Sequence, residues 1–583
     1  MNPVRNHVWL TVCLSLMVLG GCATYGDEVG GALRMADAGH FEAAREGLDE
    51  VLDPEGDDRL LYHLEQGVIA HLAGDYEQSI DYLLTAEDIG EALYTRYFRD
   101  AVRSALSHPR NSPYRGTAYE LAYIHYFQAL NFTHLAQLSD DRVARRRHLD
   151  SALVETRRLD ARLRELSLLE GDYQQAEADR EANRMSGLLQ AFHGISAEIS
   201  DPDLLTFREA AWLRYLSGVL YEKAGDLDDA RVAYQRAAEL YEEGYAQQFA
   251  IDAGMVRQAW RDTYRMEAAT DNWDAVAEAA VQRLGAADAE AIATPDRERG
   301  QLLVIQHVDR LPPRGELNLI MYADPRRRSV TLQPFGVGDY EERLAQEVWF
   351  RALYADTGPL GWLTHFSQGG LEGLIRGSFE KSFYLGPFWG ALEELGLVEA
   401  LRGGVRVAVP YPGPPRPLPD PAELWVDNQR HAFRTADNLS YMAYQDLLME
   451  AGEELRRAVA RELLRHSLAG LAARELENEF GLAGALLGLL ARAGTSAAVR
   501  ADTRAWQSLP AAVRVVRLDL PPGEYELRLS SGRFMIPETG ESAVVQVTVS
   551  ADEIQVLQTR RISHRHDWQP PMERNQDMIR LSH

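Results

Sequence analysis

LSGVLYEKAGDLDDARVAYQRA, residues 216–237, decides how the first half of the chain is read. Apolar and small residues recur at helical spacing on both sides of Gly225-Asp226, which predicts two helices joined by a tight turn. A glycine in this position ends the first helix because it takes positive φ without steric cost. Gly218 and Ala230 are small, so the two helices can approach closely enough for ridges to enter grooves. Tyr221, Tyr234 and Ala237 then fill the space between them.

The pattern recurs. Gly39-His40-Phe41-Glu42-Ala43-Ala44, Gly74-Asp75-Tyr76-Glu77-Gln78-Ser79 and Gly171-Asp172-Tyr173-Gln174-Gln175-Ala176 share its order of glycine, polar, aromatic or leucine, two polar, small, and the first two lie 35 residues apart. Residues 64–86 repeat the whole unit, with Gly67, Ala70, Gly74, Tyr76, Ser79, Leu83 and Ala86 in place. These units resemble the tetratricopeptide repeat. The resemblance implies a mainly α, TPR-like helical solenoid in the N-terminal half, whose packing residues are Gly67, Gly74, Tyr76, Gly218, Tyr221, Gly225, Ala230 and Tyr234. Between the strong copies the spacing is irregular. A turn at residues 111–116 precedes an aromatic helix with Tyr119, Tyr123, Tyr126, Phe127 and Phe132, read as core, and DDRVARRR (140–147) stands where a tight turn is expected.

The first 22 residues read as a secretory segment. Arg5 precedes an apolar run over 8–19, too short for the roughly 20 residues of a bilayer span. The run closes on Leu19-Gly20-Gly21-Cys22, which resembles the lipobox of bacterial lipoproteins. That resemblance implies cleavage before Cys22 and lipidation of its sulfur. Ala23 follows where an aspartate would resemble an inner-membrane retention signal, so the expected localisation is the outer membrane, periplasmic face, lipid-anchored. Cys13 falls in the segment expected to be removed, so disulfides, thiolate metal sites and thiol catalysis are not expected in the mature chain.

At 583 residues and 46% hydrophobic, the chain is long enough for several cores. It has 61 basic against 88 acidic residues, a net charge of −27, and all of the basic residues except Lys223 and Lys381 are arginines. So acidic a surface repels phosphate backbones, and no nucleic-acid partner is expected.

The composition shifts near residues 285–300. Residues 302–305 and 317–322 read as strands around a Pro-Pro-Arg-Gly turn, 340–354 as helix, and 405–409 as a strand. PYPGPPRPLPDP, 410–421, is an extended Pro-rich connector. A long helical region covers 438–491, and alternating runs from Val513 to Thr559 read as a small antiparallel β module. The expected organisation is a signal peptide 1–21, a lipid tether 22–31, a TPR-like domain 32–285, an α+β region 300–500, a C-terminal β module 501–562 and a polar tail 563–583.

Chemistry is hard to find. HExxH, G-x-S-x-G and P-loop motifs are absent. His564 and His566 lack further ligands at a fitting spacing, and Ser378-Phe379-Glu380-Lys381 matches SxxK without its companion motifs. Glu65, Glu222 and the group Asp502, Arg504 and Trp506 read as solvated or ion-paired structural residues, the last as an Arg–Asp pair under an indole. No catalytic residue, metal ligand or cofactor is assigned. Residues 58–86, PYRG at 113–116, 215–230, VRVAVPYPGPP at 405–415 and ADTRAWQSLP at 501–510 together resemble an uncharacterised family of tetratricopeptide-repeat lipoproteins of Gram-negative bacteria. The expected function is a scaffold or adaptor that binds periplasmic or outer-membrane proteins through the repeats, held at the membrane by acyl chains on Cys22. The alternative is an envelope enzyme acting on peptidoglycan or glycan, with its site in 358–425.

Overall fold

The computed structural model describes residues 24–104, 112–184, 209–294, 298–353, 380–394, 396–414, 416–480, 499–536 and 540–563. The N-terminal half is helical: α1 (Tyr25–Asp37), α2 (Phe41–Val51), α3 (Arg59–Ala73), α4 (Tyr76–Ser104), α5 (Ala118–Leu138), α6 (Arg142–Arg184), α7 (Ala211–Ala224), α8 (Leu227–Leu240), α9 (Ala253–Ala269), α10 (Trp273–Leu284) and α11 (Ala286–Ala293). Each helix packs on the next along the chain. The turns are set as the sequence requires. Gly74 (φ 81°) and Gly225 (φ 87°) end α3 and α7 in the left-handed region. In each case the following aspartate N–H reaches back to close the helix, Asp75 to the Ala70 carbonyl at 3.0 Å and Asp226 to the Tyr221 carbonyl at 2.9 Å.

The array begins earlier than the sequence suggests. Residues expected to be tether form α1, whose Tyr25 is fully buried, because a Thr24–Asp27 capping box starts a helix there. The Gly171 copy of the repeat turn lies inside the continuous helix α6. Nothing in its sequence forces a stop, since a glycine inside a helix costs only about 1 kcal/mol.

The second half supplies fourteen strands among the described residues, in three sheets. β1 (Gly300–Val308), β8 (Arg434–Asp437), β9 (Ala512–Leu520), β11 (Arg533–Ile536), β12 (Gly540–Ser542) and β14 (Ile554–Arg561) form a six-stranded sheet in the order β12-β11-β14-β1-β9-β8. β6 (Glu423–Val426), β7 (Gln429–Ala432), β10 (Gly523–Leu529) and β13 (Val544–Val549) form a second, ordered β13-β10-β6-β7. β2 (Gly315–Asp324), β3 (Ser329–Pro334), β4 (Lys381–Tyr384) and β5 (Val405–Tyr411) form the third, ordered β4-β3-β2-β5. The 501–562 segment is therefore not a free-standing module. Its β9 and β14 flank β1, antiparallel and parallel, and its β10 pairs with β6. Likewise β1 and β2 flank the Pro-Pro turn but belong to different sheets.

β1 explains this. It is buried almost throughout, as a strand covered on both faces must be. Leu303 and Ile305, with Val513, Val515, Ile554 and Val556, join one core with the helices. Leu302 and Val304, with Val516, face Leu424, Val426, Leu527 and Val547 of the second sheet. The molecule is thus layered: helical array, six-stranded sheet, four-stranded sheet. The third sheet packs on α12 (Tyr340–Leu353), α13 (Trp389–Glu394), α14 (Leu397–Arg402) and α15 (Leu439–Phe480) around its own core of Leu319, Phe350, Trp389, Val407 and Leu455. No helix among the described residues is long and apolar enough to cross a membrane.

Candidate functional site

Cys22 and the residues before it, Leu19, Gly20 and Gly21, lie outside the described residues, as do Ser378, His564 and His566. The repeat residues are placed. A Cβ on Gly67 would stand 2.7 Å from Leu83, and one on Gly218 would stand 2.6 Å from the Tyr234 ring, so both glycines are contact points between paired helices. Ala230 and Tyr234 are fully buried, Tyr221 donates to Asp160 Oδ2 at 3.1 Å, and Tyr76 stacks on His134 with centroids 4.9 Å apart.

The inner face of the array, formed by α1, α3, α5, α7 and α9, is where a repeat protein would take an extended peptide. Here the chain itself fills it. Residues 501–511 run along α1, α3 and α5 with their backbone donors held by buried carboxylates. Glu65 accepts from Gln507 N at 2.8 Å, Ser508 N at 2.9 Å and the Tyr25 hydroxyl at 3.2 Å. Glu120 accepts from Trp506 N at 2.8 Å and the Tyr114 hydroxyl at 2.6 Å. Both glutamates are completely buried, so Glu65 is not the solvated or ion-paired residue that the sequence suggests. Burial pushes the Glu65 carboxyl up, and the N–H donors only partly offset this. Arg504 pairs with Asp502 (2.8 Å) and Asp58 (2.9 Å), but it lies over Tyr114, not under the indole. Trp506 instead packs on Phe127 inside the core.

Further along the sheet, polar side chains from the helices meet polar side chains from the strands. His71 bonds Asn131 through Nδ1 and Gln558 through Nε2, each at 2.6 Å. His134 Nε2 lies 3.2 Å from Gln558, and Tyr126 reaches His307 Nε2 at 2.7 Å. Burial lowers all three imidazoles, His71 to about 4 and His134 to about 3, so they are neutral at pH 7. Gln137 of α5 takes the place of a neighbouring strand on β14: it donates to the Val556 carbonyl at 2.8 Å and accepts from Val556 N at 2.9 Å. Lys223 caps the Ile554 carbonyl at 2.5 Å, so a sheet edge that would otherwise leave unpaired groups is satisfied by helix side chains.

At the α7–α9 end, Arg517 of β9 enters the array. Its side chain is 3% exposed, and it bonds Glu222 (2.6 Å), Asp262 (3.1 Å) and the Tyr234 hydroxyl (2.7 Å). Arg265 completes the set, 2.6 Å from Glu222 and 3.2 Å from Asp262, so two buried acids face two buried guanidiniums. Burial pushes the Glu222 carboxyl up, but the Arg265 and Arg517 charges outweigh it and hold it well below the usual range. Asp437 of β8 has no ion-pair partner among the described residues. It accepts from the Tyr123 (2.6 Å) and Tyr245 (2.7 Å) hydroxyls, and burial raises it to about 6.

These largely buried groups join the two halves of the chain. On the far side of α5, Glu87, His125 and Glu155 bring ligand-type atoms within 4.8 Å of one another. The sequence marks the Asp502–Arg504 pair but not the other clusters, although it carries one signal of them. Within the apolar helix α5, Glu120, His125, Gln128, Asn131 and His134 form a run of polar residues, and burying such a run requires partners from elsewhere in the chain.

No protein-family model matches the chain. No curated protein matches it either. Among solved structures, it is similar to the crystal structure of a Rap protein complexed with competence and sporulation factor, at 16% identity and a TM-score of 0.22, over 47% of this chain and 56% of that one. The chain thus spans a little over half the length of that protein.

Proposed function

We propose that the chain is a lipid-anchored scaffold of the outer membrane, held on the periplasmic face by acyl chains on Cys22, that presents the outer face of its helical array to other envelope proteins. The observation that carries the reading is the filled inner groove. With residues 501–511 and the six-stranded sheet seated against α1, α3, α5, α7 and α9, partners are left the outside of the array. There α6 carries Val143 and Val154, 76% and 45% exposed, beside Arg142, Arg146 and Arg147. Apolar side chains ringed by guanidinium groups suit a protein contact, and arginine is enriched at such contacts. Two or more acyl chains, at about 0.8 kcal/mol per buried CH₂, would hold the protein at the membrane, and confinement would raise the effective concentration of its partners.

The test is crosslinking in intact envelopes with wild type, Cys22→Ala and Val143→Glu/Arg147→Glu. The expected result is a discrete partner that is lost in the double variant while its melting temperature stays unchanged, and loss of membrane fractionation in Cys22→Ala. Membrane fractionation that survives Cys22→Ala, or purified protein that cleaves cell-wall material and captures no partner, would overturn the reading.

A further inference from the structure

We infer that Glu87, His125 and Glu155, with Gln128 behind them, form a binding site for one divalent transition-metal ion of the zinc class. The three come from successive helices, α4, α5 and α6, and the Glu87, His125 and Glu155 side chains are 14%, 8% and 5% exposed. His125 Nδ1 lies 3.0 Å from Glu155 Oε2. Zinc bonds of about 2.0–2.1 Å in a tetrahedron set ligand edges of about 3.3 Å, so this edge is close to the length coordination needs. The second carboxylate is also in reach. Nη1 of Arg158 sits 3.3 Å from Glu87 Oε1 and 3.3 Å from Glu155 Oε1, which shows that a single cationic atom bridges both. Arg158 is 48% exposed, so it can leave and open a path from solvent.

Gln128 supplies a separate indication. It is completely buried and points at the pair. With its nitrogen toward Glu155 it donates at 2.8 and 3.3 Å, which suits bare carboxylates. With its nitrogen toward Glu87 Oε2 at 3.3 Å, its oxygen instead lies against Glu155, acceptor against acceptor, and only a cation or proton between them makes that favourable. The amide donates to Glu155 as the cluster stands, and turned over it would offer a fourth, neutral oxygen ligand. Imidazole with two carboxylates is a donor set for zinc, with iron(II) and manganese the nearest competitors. Since all three ligands sit on different helices, a metal here would clamp α4, α5 and α6 together.

The test uses the full-length protein stripped with chelator, dialysed against Zn²⁺ and Co²⁺, and read by metal analysis and by the visible absorption of bound Co²⁺. Because residues 564–567 (His-Arg-His-Asp) can hold zinc weakly, His564→Ala/His566→Ala is the background in which the site is read. We expect one ion per chain in that background. His125→Ala and Glu155→Gln should weaken it by roughly tenfold or more, as losing even outer partners of a metal does. Arg158→Ala removes the competing cation and should tighten binding severalfold. Zinc should also raise the melting temperature of wild type and not that of His125→Ala. Unchanged stoichiometry and affinity in folded His125→Ala and Glu155→Gln, or no stoichiometric binding at all, would reduce the cluster to an ion pair held by Arg158 and overturn the inference.

Discussion

Gly218 and Gly225 sit seven residues apart in one repeat, yet they answer to different forces. At Gly218 a Cβ meets three atoms of the Tyr234 ring at 2.6 to 2.9 Å, and Tyr234 cannot retreat because its hydroxyl is bound by Glu222 and Arg517. At Gly225 a Cβ has nothing within 4 Å, and the whole demand is the backbone at φ 87°. Gly218→Ala is therefore expected to cost about 1–3 kcal/mol by overpacking, and Gly225→Ala about 1 kcal/mol from the left-handed conformation alone. Urea midpoints of the two variants check the order. Glu65 is a second residue-scale case. Glu65→Gln gives up the carboxylate charge and turns one of its two acceptors into a donor facing the Gln507 and Ser508 amides, so about 1–3 kcal/mol of stability should be lost. The same Glu65→Gln protein should show faster exchange at those two amides.

At the scale of elements, the helical hairpins were legible because their information is local. Gly67 meets Leu83 and Gly218 meets Tyr234 across a single hairpin, and α3/α4 and α7/α8 follow the spacing read from residues 64–86 and 216–237. The sheets were not legible in the same way. Alternation shows that 302–305 and 553–559 are strands, but not that Leu303 pairs with Val556 some 250 residues later. Nor does it show that Arg517 leaves the sheet face to neutralise Glu222 and Asp262. An arginine in a strand looks like a solvent-facing residue until its partners are placed. Arg517→Met is a sharp test of that joint. It leaves two buried acids facing Arg265 alone, and the expected loss is about 3–5 kcal/mol. A loss below 1 kcal/mol in denaturant unfolding would mean the pair is solvated and the array is not fastened to β9.

For the whole molecule, the two halves behave as one because polar groups lock them across a shared core. The lock has a pH signature. His71 and His134 are lowered to about 4 and about 3 from an ordinary 6.5, so the unfolded chain takes up protons below pH 6.5 that the native chain refuses. Their contribution is intact above pH 6.5 and is lost as pH falls toward 4 and then 3, at about 1.4 kcal/mol per pH unit for each group. Asp437, raised to about 6 from 3.8, acts in the opposite sense, since the native state holds its proton between those values. Glu65 and Glu454, both raised by burial, the latter to about 7, act with Asp437, and against these carboxyls stand the three buried imidazoles His71, His134 and His307. The melting temperature should fall between pH 7 and 4.5, in a single transition that involves helices and sheets together. A flat profile would indicate that the imidazoles reach solvent.

Binding through the repeats, as the sequence leads one to expect, would in a repeat protein use the inner surface. What the sequence does not convey is that ADTRAWQSLP, whose Asp502, Arg504 and Trp506 it marks only as a local structural group, is the occupant of that surface. Its residues pack against helices more than 370 positions earlier, and only the buried glutamates of α3 and α5 hint that something must meet them. Hydrogen exchange at the Trp506, Gln507 and Ser508 amides measures this internal occupancy most directly. The prediction is that all three exchange only with global unfolding, as slowly as the core of β1. Exchange within seconds, while β1 stays protected, would show that the segment leaves the groove and that the inner face is open.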